Sequence, residues 1–228
     1  RLSDHRIRLI TLPTPLGPAR ARNIAIEQCT GFYVTGIDDD DLMLPNRLSV
    51  LLAAASDKFS LISTGFFLAK NNNLREVNTT RKVIDLNTIL HYNFIGNQSL
   101  IRRRYLTDIG GFDESLLASE DYDLWTRIIE KFGPALRIAT PTYVKSEFKN
   151  VARQTYNANF VLGATQYTEK HRSKMSRAQL RSQRLIHVIS ERKPIRLRSA
   201  ATVMSTKTFP IFFRYIASLA IEMVRKNK

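Results

Sequence analysis

Four consecutive aspartates, Asp38–Asp41, directly follow a short apolar run and directly precede Leu42–Pro45. Adjacent carboxylates repel one another by about 1 kcal/mol per close pair in water, and by more where water is scarce. Two explanations fit the run: an acidic turn that caps the next helix, or a carboxylate site for a divalent metal that holds an anionic ligand. Because Phe32–Ile37 has the pattern of a buried strand, the second explanation places the aspartates where ligands bind in open α/β sheets.

Apolar runs with strand character alternate with helical patterns along residues 7–148, which predicts an α/β sandwich. The predicted strands are Ile7–Leu12, Phe32–Ile37, Leu61–Leu68, Phe94–Ile101 and Tyr143–Phe148. The predicted helices begin near Pro18, Pro45, Asp85 and Ser119, and the last of them ends at Gly133-Pro134. The polar stretch from Lys70 to Thr80 is expected to be a surface connection.

The positive charge is concentrated in the C-terminal part of the chain. The formal net charge is +15, yet residues 1–144 hold 17 basic and 16 acidic residues, whereas residues 145–228 hold 18 basic and four acidic residues. Strand patterns also stop near Val151. We therefore expect a domain at residues 1–150 and a basic helical extension at residues 151–228. The single cysteine, Cys29, provides no disulfide framework, which fits a reducing cytoplasm.

A second acidic cluster, Ser119–Trp125, is by itself typical of a helix N-terminus, where acidic side chains complement the helix dipole. Its place among other motifs adds a further explanation. Those motifs are, in order, Gly17–Asn23, Asp38–Asp41 with Pro45, Gly96-Asn97 with Arg102-Arg103, Gly110–Asp113 and Glu120–Trp125. In this order and spacing the chain resembles the family 2 glycosyltransferases of the GT-A fold.

The resemblance implies a GT-A (Rossmann-like) α/β/α sandwich that transfers a sugar, with inversion, from a nucleotide-sugar to an acceptor hydroxyl. By the same resemblance Asp38 and Asp40 form an Asp-x-Asp motif for Mg²⁺ or Mn²⁺, with Asp40 as the main ligand and Asp38 nearer the ribose. Asp39 and Arg22 are expected to join them in binding the donor, a UDP-sugar. Asp121 corresponds to the general base. These roles suit the chemistry, because hard cations bind phosphate oxygens and the acceptor hydroxyl must lose a proton.

Three more residues are expected near the donor or acceptor sugar: Asn97, Glu120 and Trp125. Trp125 is either a core residue or an aromatic surface on which a sugar stacks. Arg102-Arg103-Arg104 either steadies phosphates or forms a solvated turn. The segment Lys149–Gln154 lacks the histidine that the family often supplies there, so the third metal ligand is not identified.

The sequence departs from the family pattern at its front. Family members begin with a Pro-x-Tyr-Asn-like turn and a later strand that ends in Asp-Asp-Gly-Ser, and neither motif occurs here. We therefore expect the chain to lack the N-terminal strands that bind the nucleotide base. The Gln-x-x-Arg-Trp pattern of processive synthases is absent too. Its absence favours single-sugar addition to a glycan or lipid-linked acceptor in cell-envelope polysaccharide or lipopolysaccharide biosynthesis.

The apolar stretch Phe209–Val224 is short for a membrane span and contains Arg214 and Glu222. It is either an interfacial helix that binds an anionic membrane surface through residues 207–228, or a helix docked on the protein's own core. The first explanation predicts a peripheral protein at the inner face of the cytoplasmic membrane.

Two less favoured function classes stay open. A non-catalytic remnant or binding module would have the same partial fold without donor binding. A basic nucleic-acid-binding protein would rely on the extension, but aromatic residues are not interleaved with the basic residues through 170–198, so we expect no nucleic-acid partner.

Overall fold

A sheet of seven strands lies at the centre of the fold. The computed structural model describes residues 4–70, 73–96, 98–146, 158–191, 193–195 and 197–226. The strands are β1 (Tyr33–Val34), β2 (Leu42–Met43), β3 (Leu61–Lys70), β4 (Asn73–Val77), β5 (Lys82–Ile84), β6 (Leu100–Arg102) and β7 (Ala135–Ser146). The main path through the 7-stranded sheet is β1-β6-β3-β7-β2, with β4 paired to β3 and β5 paired to β7. The β3–β7 pair is parallel, and the other pairs are antiparallel.

Helices cover both faces of this sheet. They are α1 (Pro18–Glu27), α2 (Arg47–Ala54), α3 (Leu86–Ile89), α4 (Arg103–Asp108), α5 (Glu120–Phe132), α6 (Ala158–His171), α7 (Arg177–Ser190), α8 (Leu197–Val203) and α9 (Phe209–Lys226). Successive side chains of a strand point to opposite faces. Accordingly Leu61 packs in a cluster with Trp125 of α5, whereas Ile62 packs in a second cluster with Leu51 of α2. The predicted mixed α/β fold is confirmed.

Several predicted helix boundaries are confirmed because local backbone chemistry sets them. Helix α1 begins at Pro18. Asp85 caps α3, since its Oδ1 accepts a hydrogen bond from the Thr88 N–H at 2.7 Å. Helix α5 ends at Phe132, before Gly133 with a φ of 95°, a conformation that favours glycine.

Two predictions need correction: the strand at Ile7–Leu12 and the polar connection from Lys70 to Thr80. Ile7–Leu12 forms no strand, and Leu9 is 90% exposed, so this apolar run pairs with no strand of the described residues. The stretch from Lys70 to Thr80 is a hairpin, because β4 pairs with the end of β3. The side chains of β4 are mostly exposed, so no apolar pattern marks the strand in the sequence.

Two further elements are shorter than predicted. In the predicted strand Phe94–Ile101, pairing begins only at Leu100, and the Ile95 and Gly96 N–H groups instead donate to the side chain of Asn93. Helix α2 begins at Arg47, not at Pro45, and its Leu51 is fully buried. Leu48 and Leu52 are 48% and 50% exposed.

The last strand is longer at its start than predicted. The predicted strand ending at Phe148 begins at Ala135, and residues 147–150 lie outside the described part.

The C-terminal helices pack on the α5 side of the domain. The rings of Tyr122 and Tyr167 stack with centroids 3.8 Å apart, and the Tyr167 hydroxyl lies 3.0 Å from Thr126 Oγ1. From α7, Gln183 Nε2 donates to the Leu90 carbonyl at 2.7 Å. The extension is therefore joined to the helix that carries Asp121 by aromatic and polar contacts.

Helix α9 has a packed side and an exposed side. Phe212 and Tyr215 are buried, and the Tyr215 hydroxyl donates to the Lys193 carbonyl at 2.8 Å. Phe209 and Phe213 face outward, 46% and 52% exposed, with ring centroids 4.6 Å apart. The packed side fits a helix docked on the protein's own core, and membrane binding by the exposed side stays a prediction. Among the helices of the described residues, none is long and apolar enough to cross a membrane.

Candidate active site

The four aspartates occupy the loop between β1 and β2. The Asp41 N–H donates to the Asp38 carbonyl at 3.1 Å, which folds the loop back on itself. One carboxylate oxygen from each of Asp38, Asp40 and Asp41 lies within 4.8 Å of the others, whereas Asp39 is exposed and outside this group. Asn46 occupies the N-cap position of α2 and makes no side-chain cap bond, so none of the aspartates caps that helix. The capping explanation of the run is wrong.

The aspartate group has the chemistry of a hard-cation site. Its three converging carboxylates offer the oxygen ligands that Mg²⁺ and Mn²⁺ prefer. Asp41 is 7% exposed, whereas Asp40 is exposed to solvent. The group therefore combines a buried carboxylate with one that a ligand can reach from solvent. Asp41 was not predicted as a ligand, because nothing in a run of four identical residues indicates which of them converge.

Arg22 of α1 connects the two acidic clusters. Its Nη2 donates to Asp38 Oδ1 at 3.1 Å, and its Nη1 donates to Glu120 Oε1 at 2.7 Å. The guanidinium carbon lies 5.4 Å from the centroid of the Phe112 ring. Gln98 Nε2 donates to the same Asp38 oxygen at 3.0 Å. A single arginine therefore brings together carboxylates that are far apart in sequence.

Asp121 lies in the first turn of α5. Its Oδ1 accepts a hydrogen bond from the Tyr122 N–H at 2.7 Å, and its Oδ2 accepts one from Asn93 Nδ2 at 3.3 Å. Burial, assisted by the neighbouring Glu120 carboxylate, raises the pKa of Asp121 to about 7. A carboxylate with this pKa can both accept and release a proton near neutral pH, as a general base requires.

The residues around Gly96 form a turn beside Asp121. Asn93 Oδ1 accepts hydrogen bonds from the Ile95 and Gly96 N–H groups at 3.2 and 3.1 Å. The indole N–H of Trp125 donates to the Gly96 carbonyl at 2.8 Å, and Trp125 is only 3% exposed. Trp125 therefore packs in the core and holds the turn. Asn97, predicted near the sugar, lies outside the described residues.

A cavity of about 260 Å³ lies between α1, β1 and α5. Arg22, Gln98 and Trp125 line it together with apolar side chains such as Val34 and Phe112. The cavity thus reaches the arginine that binds both acidic clusters.

Asp123 does not belong to the site, although it follows Asp121 closely. It is fully buried, and its oxygens lie 2.8 Å from His171 Nε2, 2.9 Å from Lys170 Nζ and 2.7 Å from Arg127 Nε. Burial alone would raise the pKa of Asp123, but the bond from His171 and the charges of Arg127 and Lys170 hold that pKa well below its usual range. Asp123 therefore joins α5 to α6.

Arg102, Arg103 and Arg104 contact other parts of the fold, and the guanidinium carbon of Arg104 lies 5.1 Å from the centroid of the Tyr105 ring. Arg102 pairs with Asp57 and donates to the Tyr105 hydroxyl at 3.0 Å, and Arg103 donates to the Gly31 carbonyl at 3.1 Å. Neither contacts the aspartate loop. Asn93 and Gln98, which do contact Asp121 and Asp38, were missed, because single amides in a turn carry no pattern.

Comparison with known proteins identifies the family. The sequence profile described as "Glycosyl transferase family 2" matches residues 1–115. WcaA of Escherichia coli (strain K12), named as a colanic acid biosynthesis glycosyl transferase, is 29% identical over 215 residues, or 90% of this chain and 76% of WcaA. WfgD of Escherichia coli, named UDP-Glc:alpha-D-GlcNAc-diphosphoundecaprenol beta-1,3-glucosyltransferase, is 27% identical over 129 residues, or 56% of this chain and 50% of WfgD.

The crystal structure of S. aureus TarS 1–349 has the same fold. It superposes with a TM-score of 0.60 at 14% sequence identity, covering 84% of this chain and 59% of that one. The chain thus spans only part of the length of these relatives. Since the profile covers half of its residues, this chain belongs to glycosyl transferase family 2 and has the GT-A fold.

Proposed function

We propose that this chain transfers a single sugar, with inversion, from a UDP-sugar to an acceptor hydroxyl during assembly of a cell-surface polysaccharide. The observation that supports the proposal is the Arg22 bridge. Arg22 bonds Asp38 of the aspartate group and Glu120, whose neighbour in sequence, Asp121, has a raised pKa. Sugar transfer from a nucleotide needs both: a place for the leaving diphosphate and a separate base for the acceptor.

Asp38 and Asp40 would hold Mg²⁺ or Mn²⁺, with Asp41 as the third ligand. The ion, when bound, neutralises charge on the leaving diphosphate. Arg22 contributes a fixed positive charge beside Asp38 and orients that carboxylate together with Gln98. Asp39 lies at the solvent side of the loop, where it contacts the donor.

Asp121 takes the proton of the acceptor hydroxyl as the oxygen attacks the anomeric carbon. The turn at Asn93 and the Tyr122 N–H hold its two oxygens, so the carboxylate is oriented before substrate arrives. Glu120 sets the charge around the base through Arg22, and Trp125 fixes the turn that borders the sugar.

Two relatives support the nature of the donor or acceptor, and a third supports the pathway class. TarS has been crystallised in complex with UDP, and the name of WfgD specifies a UDP-Glc donor and a diphosphoundecaprenol-linked acceptor. WcaA is named for colanic acid biosynthesis. A lipid-linked acceptor also fits the exposed Phe209 and Phe213 of the basic extension, residues 151–228, which we assign to an anionic membrane surface at the cytoplasmic side.

Calorimetric titration with UDP and Mn²⁺ tests the donor site. We expect Asp40→Asn to weaken Mn²⁺-dependent UDP binding at least about tenfold, which corresponds to 1.4 kcal/mol. The matched control is Asp108→Asn, because Asp108 is an exposed aspartate at the end of α4. Equal binding by both variants would remove Asp40 as a metal ligand. No Mn²⁺-dependent UDP binding by either the unsubstituted chain or Asp40→Asn would favour a non-catalytic remnant.

The base is tested by turnover. Asp121→Asn should keep UDP binding and lower UDP release from a UDP-sugar in the presence of acceptor by about 10²–10⁴-fold. Retained turnover would remove Asp121 from this role.

Flotation with phosphatidylglycerol vesicles tests the membrane surface. A Phe209→Ser/Phe213→Ser variant should float less than Leu74→Ser, which alters an apolar side chain that is 63% exposed on β4. Equal flotation would remove α9 as the membrane contact.

A further inference from the structure

Three basic residues gather at the β5 edge of the sheet, away from the aspartate loop. Lys82 of β5 stands directly opposite Arg137 of β7 in the antiparallel pairing. Lys207, in the turn before α9, also lies close to Lys82. Burial lowers the pKa of Lys82, and the charges of Arg137 and Lys207 lower it further. We call Lys82, Arg137 and Lys207 the basic cluster.

Folding alone does not explain the basic cluster. Like charges directly opposite one another on paired strands destabilise a sheet. Arg137 is only 5% exposed, and its Nε has no hydrogen-bond partner among the described residues. Within that part of the chain, none of the three forms an ion pair with a carboxylate. Asp85 is the acidic neighbour, but its carboxylate is already engaged in capping α3.

The basic cluster contacts the same turn as Asp121. Arg137 Nη1 donates to the Phe94 carbonyl at 2.6 Å, and the Lys82 ammonium lies 3.4 Å from the centroid of the Phe94 ring. The preceding residue, Asn93, donates to Asp121. Two residues of one turn thus connect the cluster to the proposed base.

We propose that the basic cluster binds a phosphate group of the acceptor, so that the acceptor hydroxyl is presented to Asp121. Guanidinium and ammonium groups are the side chains that bind phosphate oxygens with charge-assisted hydrogen bonds. A bound anion removes the repulsion between Lys82 and Arg137 and supplies a partner near the buried guanidinium. Lys207 lies two residues before Phe209, the first residue of α9, so a phosphate held here would lie near the exposed Phe209 and the membrane surface assigned to it. The role as an acceptor site rests on the proposed transferase function.

Pyrophosphate binding without divalent metal tests the cluster directly. With EDTA present, the aspartate loop presents only negative charge to inorganic pyrophosphate, so binding reports a cationic site. We expect a Lys82→Gln/Lys207→Gln variant to bind pyrophosphate about tenfold more weakly than the unsubstituted chain, a change of about 1.4 kcal/mol. Both lysines retain solvent exposure, so the substitutions avoid the buried Arg137.

The matched control is Lys58→Gln/Arg177→Gln, which removes the same charge from exposed positions on other elements. Equal pyrophosphate affinity in the two double variants, or no binding by the unsubstituted chain, overturns the proposal. Vesicles of phosphatidylglycerol form a second arm: if the Lys82/Lys207 variant loses only flotation and keeps pyrophosphate affinity, the cluster binds a lipid headgroup and the proposal is again overturned. Mn²⁺-dependent UDP binding, measured on the same variants, should not change, so failure of the donor site is distinguished from failure of the cluster.

Discussion

Replacing Asp123 by Asn should destabilise the protein strongly, because it neutralises a buried carboxylate while its cationic partners stay. Asp123 is fully buried, and side-chain nitrogen atoms of His171, Lys170 and Arg127 lie within 2.9 Å of its carboxylate oxygens. The side chains of those partners are 2%, 32% and 19% exposed. Removing one partner of a buried ion pair costs about 3–5 kcal/mol, since an uncompensated charge is left behind. For a chain of this size, such a loss lowers Tm by roughly 6–20 °C.

The pH dependence of the same contact has a definite sign. The pKa of Asp123 is lower in the folded than in the unfolded state, so its stabilisation is complete above the unfolded pKa of about 3.9 and is lost as the pH falls below that value. The difference in stability between the unsubstituted chain and Asp123→Asn should therefore be constant near neutral pH and shrink in acid.

Urea denaturation at several pH values measures this difference. Asp113→Asn is the control, because Asp113 also contacts Lys170, at 2.5 Å, but its side chain is 28% exposed. Its loss should be about 1 kcal/mol or less. If Asp123→Asn costs no more than the control, or if its cost does not shrink in acid, the buried carboxylate is not the link between α5 and α6 that we describe.

Three other substitutions address the site and its supports. Glu120→Gln removes a carboxylate that raises the pKa of Asp121, so the acid limb of the pH profile of kcat should move to lower pH. Gly163→Ala should lower Tm by a loss of about 1–3 kcal/mol, because the added Cβ would meet the Ala118 carbonyl oxygen at 2.5 Å. Ser119→Gly should raise Tm relative to Ser119→Ala, because Ser119 has a φ of 64°, which costs a non-glycine residue about 1–2 kcal/mol. An unmoved pH profile, an unchanged Tm for Gly163→Ala, or equal Tm values at position 119 would contradict the respective reasoning.

The parts of the fold that the sequence predicts well are those set by local chemistry. The start of α1, the cap of α3 and the end of α5 depend on Pro18, Asp85 and Gly133, each of which acts on its own backbone or a near neighbour. Strands depend on partners far along the chain. β4 is a strand without an apolar pattern, whereas Ile7–Leu12 has an apolar pattern but no partner strand among the described residues. The local sequence pattern therefore gave the wrong prediction for both segments.

The candidate site shows the same division. The aspartate run and the acidic start of α5 are local groups of acidic residues, so the sequence alone identifies both clusters. Their contact through Arg22 joins residues 98 positions apart, and the convergence of Asp41 with Asp38 depends on a loop conformation. Neither can be derived from spacing. Family resemblance supplied roles for these residues, and three-dimensional contacts supply the partners that orient them.

In the proposed mechanism, the donor diphosphate and the acceptor phosphate approach the proposed base, Asp121, from two regions of different charge. Asp38, Asp40 and Asp41 bring three negative charges together, with Arg22 as a cationic neighbour, so a diphosphate can be held there only when a dication is present. Two unit charges 4 Å apart repel by about 1 kcal/mol in water and about 4 kcal/mol near a protein surface. An acceptor phosphate would therefore be repelled by the aspartate loop. The basic cluster, which reaches Asp121 through the turn at Asn93 and Phe94, offers it a separate place of opposite charge.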